Sequence, residues 1–180
     1  MPPRSKALAD AATDSCAITR SLGVLSDSWS FLLLREALFG RRTFAEFVDA
    51  LGIATDVLSV RLASLVEHGV MEKIPYREPG QRTRFAYELT PTGEKLNLVL
   101  AALQQWGDEH LPSSDPLAAL PLDRHTHDRL RVAFVDPKGR TINQRDAQFL
   151  PAASSTDRAH RNVSSLRGNV TGRPMRGPDH

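Results

Sequence analysis

Cys16 is the only cysteine in the sequence, so the chain cannot close a disulfide within itself. No apolar run approaches the length that crosses a bilayer. Residues 1–15 have neither the apolar core nor the layout of a secretion signal, and a cytoplasmic protein without membrane contact is expected. A glycine-rich phosphate loop and a Ser/His/Asp set are missing as well. His125 and His127 stand near Asp123 and Asp128, but they come with no thiolate and no clear third ligand. The expectation is therefore a protein that is not an enzyme and holds no metal or cofactor.

An excess of one charge is also lacking. The net charge is +2, and residues 16–110 carry ten basic against twelve acidic side chains. A surface for a polyanion must then come from local clustering of cations and not from the total. Residues 151–180 have no Phe, Tyr or Trp and a single leucine, with five arginines against two aspartates. That composition cannot build a core and reads as a disordered tail, whose arginines could add non-specific attraction to DNA.

What is present is a dense run of helix punctuation. After a polar arm at 1–15, Ile18, Leu22 and Leu25 repeat at helical spacing, so a short helix begins near Cys16. Asp27 suits the N-cap of a helix over 28–39 whose apolar face holds Trp29, Leu32, Leu33 and Phe39, with Gly40 as its stop. Thr43-Phe44-Ala45-Glu46 is a capping box opening a short helix with Phe44, Phe47, Val48 and Leu51 inward, halted by Gly52. Thr55 is placed as the cap of a further helix reaching about His68, with Leu58, Leu62, Leu65 and Val66 inward. Two strands follow, 70–76 and 83–89, the second with Phe85, Tyr87 and Leu89 on one face. Pro79-Gly80 between them marks a hairpin. Thr90-Pro91 starts a long helix to about His110 carrying Leu96, Val99, Leu100, Leu103 and Trp106. Residues 112–128 read as a linker, and a small β extension is placed at 129–150 around Asp136-Pro137-Lys138-Gly139.

The fold class is thus mainly α with a small β hairpin. Two helices in tight succession followed by a hairpin make a winged helix-turn-helix, placed at 16–111. Such a fold reads duplex DNA with polar side chains near the start of its second helix. The outward positions there are Thr55, Asp56, Ser59, Val60 and Ala63, with Arg61 flanking. Thr55 and Ser59 suit bases or phosphates and Arg61 a phosphate or guanine; Asp56, Val60 and Ala63 do not favour phosphate. In the wing, Arg77, Gln81, Arg82 and Arg84 are opposed only by Glu78 and can follow the phosphate backbone or enter the minor groove. Arg41, Arg42 and Thr43 stand at the start of the motif and could hold a phosphate.

These residues resemble the HxlR-type bacterial regulators. The resemblance is carried by Cys16, Gly23-Val24-Leu25-Ser26-Asp27-Ser28-Trp29 and the stretch from Leu32 to Leu38. It continues through Phe44-Ala45-Glu46-Phe47, Leu58-Ser59-Val60-Arg61-Leu62, Leu65, Glu67-His68-Gly69-Val70 and Tyr87-Glu88-Leu89-Thr90-Pro91-Thr92-Gly93. It spans about residues 16–109 and implies a homodimer on a two-fold site in double-stranded DNA, acting as repressor or activator. Asp56, Val60 and Ala63 depart from the polar or basic residues common in the family. The resemblance also makes Cys16 a candidate thiol sensor of redox or electrophile stress; the other reading is a small buried apolar residue. A small-molecule effector is a further expected partner. The stripe on the last helix either closes the monomer core or packs with the first helix across a two-fold axis. The alternative to a DNA-binding regulator is a winged-helix module that binds proteins and never touches DNA.

Overall fold

The computed structural model describes residues 11–25, 27–77, 80, 82–111 and 121–150. Gln81, Glu78 and Pro79 of the wing, residues 112–120 of the expected linker and the expected tail from 151 lie outside the described residues. The chain divides into two units, one up to Val132 and one from Ala133.

In the first unit, α1 spans Ala17–Val24, α2 Ser28–Leu38, α3 Phe44–Leu51 and α4 Thr55–Glu67. Strands β1 (Met71–Tyr76) and β2 (Arg84–Leu89) follow, then α5 (Pro91–Glu94) and α6 (Asn97–His110). The element order is that of a winged helix-turn-helix, as the sequence led us to expect. Most boundaries follow from local chemistry. Asp27 caps α2 by accepting the Ser30 amide hydrogen at 3.1 Å. Both halves of the capping box at α3 are formed. Gly52 ends α3 at φ +58, a left-handed turn that a side chain would strain.

Four sequence expectations change. Thr55 is the first residue of α4 and not its cap; Ala54 holds the cap position, and no side chain bonds to the first-turn amides. Phe39 does not continue the inward face of α2. It is the C-cap, past the last helical turn, and is 49% exposed, while Leu33 and Leu34 are fully buried. The helix expected from 91 to 110 is broken at Lys95–Leu96. The Leu96 amide donates to the Gly93 carbonyl at 3.0 Å, a three-residue bond that tightens the turn and starts α6 afresh. In β2, Tyr87 and Leu89 pack on the core as expected, but Phe85 is 45% exposed and Ala86 on the opposite face is buried.

The strands pair antiparallel, Met71 opposite Leu89 and Tyr76 opposite Arg84. Pro75 is accommodated because the outer edge of β1 pairs with no other strand among the described residues. On the other side of β2, Tyr87 donates its amide hydrogen to the Arg42 carbonyl at 2.7 Å, and Thr43 bridges to Ala86. The segment entering the helix-turn-helix thereby forms a short third rung of the wing sheet.

The core is made by Leu33 and Leu34 of α2, Phe47 of α3, Leu58, Leu62 and Leu65 of α4, with Ile53 and Met71. Burial of these side chains, about 1.5–3 kcal/mol each, is what fixes α3 and α4 in place. Gly93 meets this core at close range. A Cβ there would lie 2.0 Å from the Val70 carbonyl oxygen, so only glycine fits. Helix α6 and its N-cap contribute only partly buried Leu100 and Leu96 to the core, leaving Leu98, Val99, Leu103 and Trp106 exposed. The unit is completed by the segment 121–132. Gln105 on α6 exchanges two hydrogen bonds with the Val132 backbone, at 3.0 and 3.3 Å.

In the second unit, β3 (Phe134–Val135) and β4 (Thr141–Ile142) form the small hairpin expected around Asp136–Gly139. Asp136 closes its turn by accepting from the Lys138 and Arg140 amides and the Arg140 guanidinium. The Arg140 contacts, backbone first, hold this carboxyl below its ordinary pKa.

Candidate nucleic-acid interface

The outward face of α4 is the one the helical spacing placed outside. Thr55, Asp56, Ser59, Val60 and Ala63 are all exposed, while Leu58, Leu62 and Leu65 point into the core. Val60 is 59% exposed. Ser59 turns its hydroxyl hydrogen back to the Thr55 carbonyl at 2.7 Å, so what it offers outward is acceptor oxygen.

Arg61 is not on that face. Its Nε lies 2.7 Å from Asp27 Oδ2, and the two side chains are only 19% and 22% exposed. The Nε hydrogen is not aimed at the oxygen, so this is an ion pair and not a directed hydrogen bond. Asp27 thus serves twice, capping α2 with one oxygen and holding α4 with the other. An arginine placed by spacing as a phosphate or guanine contact has an internal partner instead.

Arg41 also has an acid partner within the chain, although it stays close to half exposed. It and Arg35 hold the buried carboxylate of Glu36, each at 2.5 Å. Glu36 is 3% exposed and shares the inward side of α2 with Leu33. Arg42 is exposed and meets Glu88 of β2 at 3.1 Å, while its amide and that of Thr43 donate to Glu46. Those two amides, Arg42 first, lower the Glu46 pKa. Thr43 is half-buried, and its hydroxyl oxygen accepts the Glu46 amide hydrogen.

The wing keeps its cations outward. Arg77, Arg82 and Arg84 are exposed. Among the described residues no acid pairs with Arg82 or Arg84. Lys73 of β1, which sequence reasoning passed over, joins them. Its ammonium sits 4.2 Å over the Phe85 ring and 6.0 Å from the Tyr87 ring, a cation–π arrangement that holds the charge at the hairpin surface. The signal was readable in principle, since Lys73 lies opposite Tyr87 once the hairpin register is drawn.

Cys16 occupies the N-cap of α1 and is exposed. The Thr19 amide, then the Thr19 hydroxyl and the Ile18 amide, lower its thiol pKa against an opposing effect of Asp14, although no hydrogen bond to the sulfur is fully formed. Within the single chain Cys16 is therefore not part of the buried core. Farther along, the Asp123 carboxylate accepts the His125 and Thr126 amides and so closes a turn. Among the described residues no helix is long and apolar enough to cross a membrane.

A family model described as an HxlR-like helix-turn-helix matches residues 24–115. The HTH-type transcriptional regulator Rv3095 of Mycobacterium tuberculosis, itself uncharacterised, is 41% identical over 95 residues. That match covers 53% of this chain and 59% of the relative, so the chain spans less than two thirds of that relative's length. The solved structure of PA1607, described as a candidate transcription factor, superposes with a TM-score of 0.67 at 31% identity, over 78% of this chain and 98% of that one. PA1374 of Pseudomonas aeruginosa, described in the same way, gives 0.53 at 34% identity over 81% of this chain and 99% of that one.

Proposed function

Because the chain belongs to the HxlR-like helix-turn-helix family, we propose that it is a cytoplasmic transcriptional regulator that binds duplex DNA as a homodimer. The observation that carries the reading is the pairing of an exposed α4 face with a following hairpin whose Arg82 and Arg84 have no acid partner among the described residues. Arg77 and Lys73 extend the same edge, and Gln81, outside the described residues, is included with them from the sequence alone. In this arrangement the wing supplies phosphate contacts, with Arg42 and Thr43 contributing at the start of α3, while Thr55 and Ser59 face the groove. Arg41 and Arg61 act indirectly, by bracing α2 and α4.

Dimerisation is supported by the exposed apolar side chains on two helices, Ile18 and Leu22 of α1 and Leu98, Val99, Leu103 and Trp106 of α6. A monomer in water gains nothing from such a stripe, and a two-fold partner would cover it. Sedimentation should report a dimer that Leu103→Glu with Trp106→Glu converts to monomer.

The deciding experiment is fluorescence anisotropy with duplex from the region upstream of the gene, across a range of salt. Binding should weaken linearly in log–log form, and Arg82→Ala with Arg84→Ala should reduce the slope by about one per lost phosphate contact. No binding at low salt, with or without a small-molecule effector, would favour a protein-interaction module. The lowered pKa and exposure of Cys16 support a second element, control of DNA binding by oxidation or alkylation of this thiol. Diamide should release DNA from the wild type and leave Cys16→Ser bound; an identical response of the two proteins ends that reading.

A further inference from the structure

The recognition face of α4 is short of hydrogen-bond donors. Arg61 is the sole cation of the helix and is paired with Asp27, on the half-buried side. The Ser59 hydroxyl hydrogen is engaged by the Thr55 carbonyl. Asp56 can only accept. The remaining exposed surface is the isopropyl group of Val60, the methyl of Ala63 and the methyl and hydroxyl of Thr55. Val60 follows Asp56 by four residues and precedes Ala63 by three, so the three side chains lie along one row of the helix. Thr55 and Ser59 lie on the neighbouring row that also ends at Ala63.

The commonest specific contact, a bidentate arginine on guanine, cannot be made from this face. In the major groove one base edge is apolar, the 5-methyl group of thymine, and small aliphatic side chains are its complement. A carboxylate beside them accepts from the exocyclic amine of cytosine. We propose that Val60 and Ala63 are the specificity-determining residues of this protein and that they recognise thymine 5-methyl groups in each half-site, with Asp56 selecting an adjacent cytosine. The proposal rests on the DNA-binding reading above. It explains why an exposed valine is useful in the middle of a helix that otherwise keeps its apolar residues in the core.

The test begins with selection of bound duplexes from a random-sequence library by the full-length wild-type chain. The selected site is then resynthesised with deoxyuridine in place of each thymidine, which removes the methyl group and keeps the pairing. Loss of one methyl contact should weaken binding about fourfold, and of the symmetry-related pair more than tenfold. Val60→Ala should lose most of its discrimination between thymidine and deoxyuridine at the position that Val60 meets, while the position met by Ala63 stays sensitive. As an exposed substitution it should melt as the wild type does. A selected site at which no deoxyuridine replacement changes affinity overturns the proposal, as does a Val60→Ala protein that remains fully sensitive to the replacement. Recovery of no duplex at low salt is a different result, because it removes the DNA-binding reading itself.

Discussion

Replacing Asp27 separates two effects that one carboxylate combines. Its Oδ1 caps α2 and its Oδ2 pairs with Arg61 of α4. Asp27→Ala removes both; Asp27→Asn keeps a good capping oxygen and removes the charge. A lost cap costs about 1 kcal/mol. The ion pair is neither a surface pair, worth at most about 1 kcal/mol, nor a fully buried one, whose breakage costs about 3–5 kcal/mol. With side chains about one-fifth exposed, a loss of about 2 kcal/mol is expected. Asp27→Asn should therefore lower stability by about 2 kcal/mol and Asp27→Ala by about 3 kcal/mol. For a domain of roughly 100 residues, the smaller loss lowers Tm by about 10 °C. Urea denaturation of the two single variants, Arg61→Ala and the doubles gives the coupling between the side chains, expected at 1 kcal/mol or more. A coupling below about 0.5 kcal/mol, the level at which independent sites add, would refute the reasoning. So would an Arg61→Ala protein that is as stable as wild type while its DNA salt slope falls by about one, since that is the signature of a phosphate contact.

Three further outcomes follow from the packing and the charges. Gly93→Ala places a methyl against backbone at Val70, which cannot yield as a side-chain tip can, and should cost about 3 kcal/mol in chemical denaturation. Around Glu36 the order of damage should be asymmetric. Arg35→Ala with Arg41→Ala strands a buried carboxylate and should cost about 3–5 kcal/mol, whereas Glu36→Gln frees two arginines that are close to half exposed and already reach water; equal losses in thermal melts would contradict this. Glu46 has a folded-state pKa below its unfolded value, near 4.3. Its charge therefore contributes stability that is fully present above that unfolded value and is lost as pH falls through the depressed folded one. The stability gap between wild type and Glu46→Gln should be constant near neutral pH and shrink below about pH 4, as read from melting temperatures across pH.

The features legible in the sequence were those settled by neighbours along the chain. The Thr43–Glu46 box, the Asp27 cap, Gly52, Thr90-Pro91 and the turn at Asp136 each depend on residues within four positions, and each formed. The outward row Thr55, Asp56, Ser59, Val60 and Ala63 was legible for the same reason, since helical period alone decides it. The partners of the arginines were not. Spacing reports which way a long side chain leaves the helix, but not whether an acid from another element meets it. Asp27 captures Arg61 across the core, and Glu36 captures Arg41 around the end of α2. A hint was present: Glu36 lies three residues after Leu33, on the face that packs inward, where a carboxylate requires a cation. Thr55 was misplaced by one position because its side chain suits a cap, while the backbone made Ala54 the last extended residue. The break at Lys95–Leu96 left no trace in periodicity, because Leu96, within it, and Leu100, one turn later, keep the same inward face.

The contact between Gly93 and Val70 has a mechanical meaning. Thr90 donates its hydroxyl hydrogen to the Gly69 carbonyl and its amide hydrogen to Val70, and Gly93 rests on the same carbonyl with no room for a methyl group between. The chain leaving α4 and the chain entering α5 are thus pinned at one joint without play. Helix α4 has 13 residues, which makes it a lever of about 20 Å. A tilt of about 10° at the joint moves the far end of that lever about 3 Å, close to the ~3.4 Å rise of one base-pair step. A joint this tight leaves no slack between α4 and α5, so any rotation of one is passed to the other and is magnified at the far end of α4.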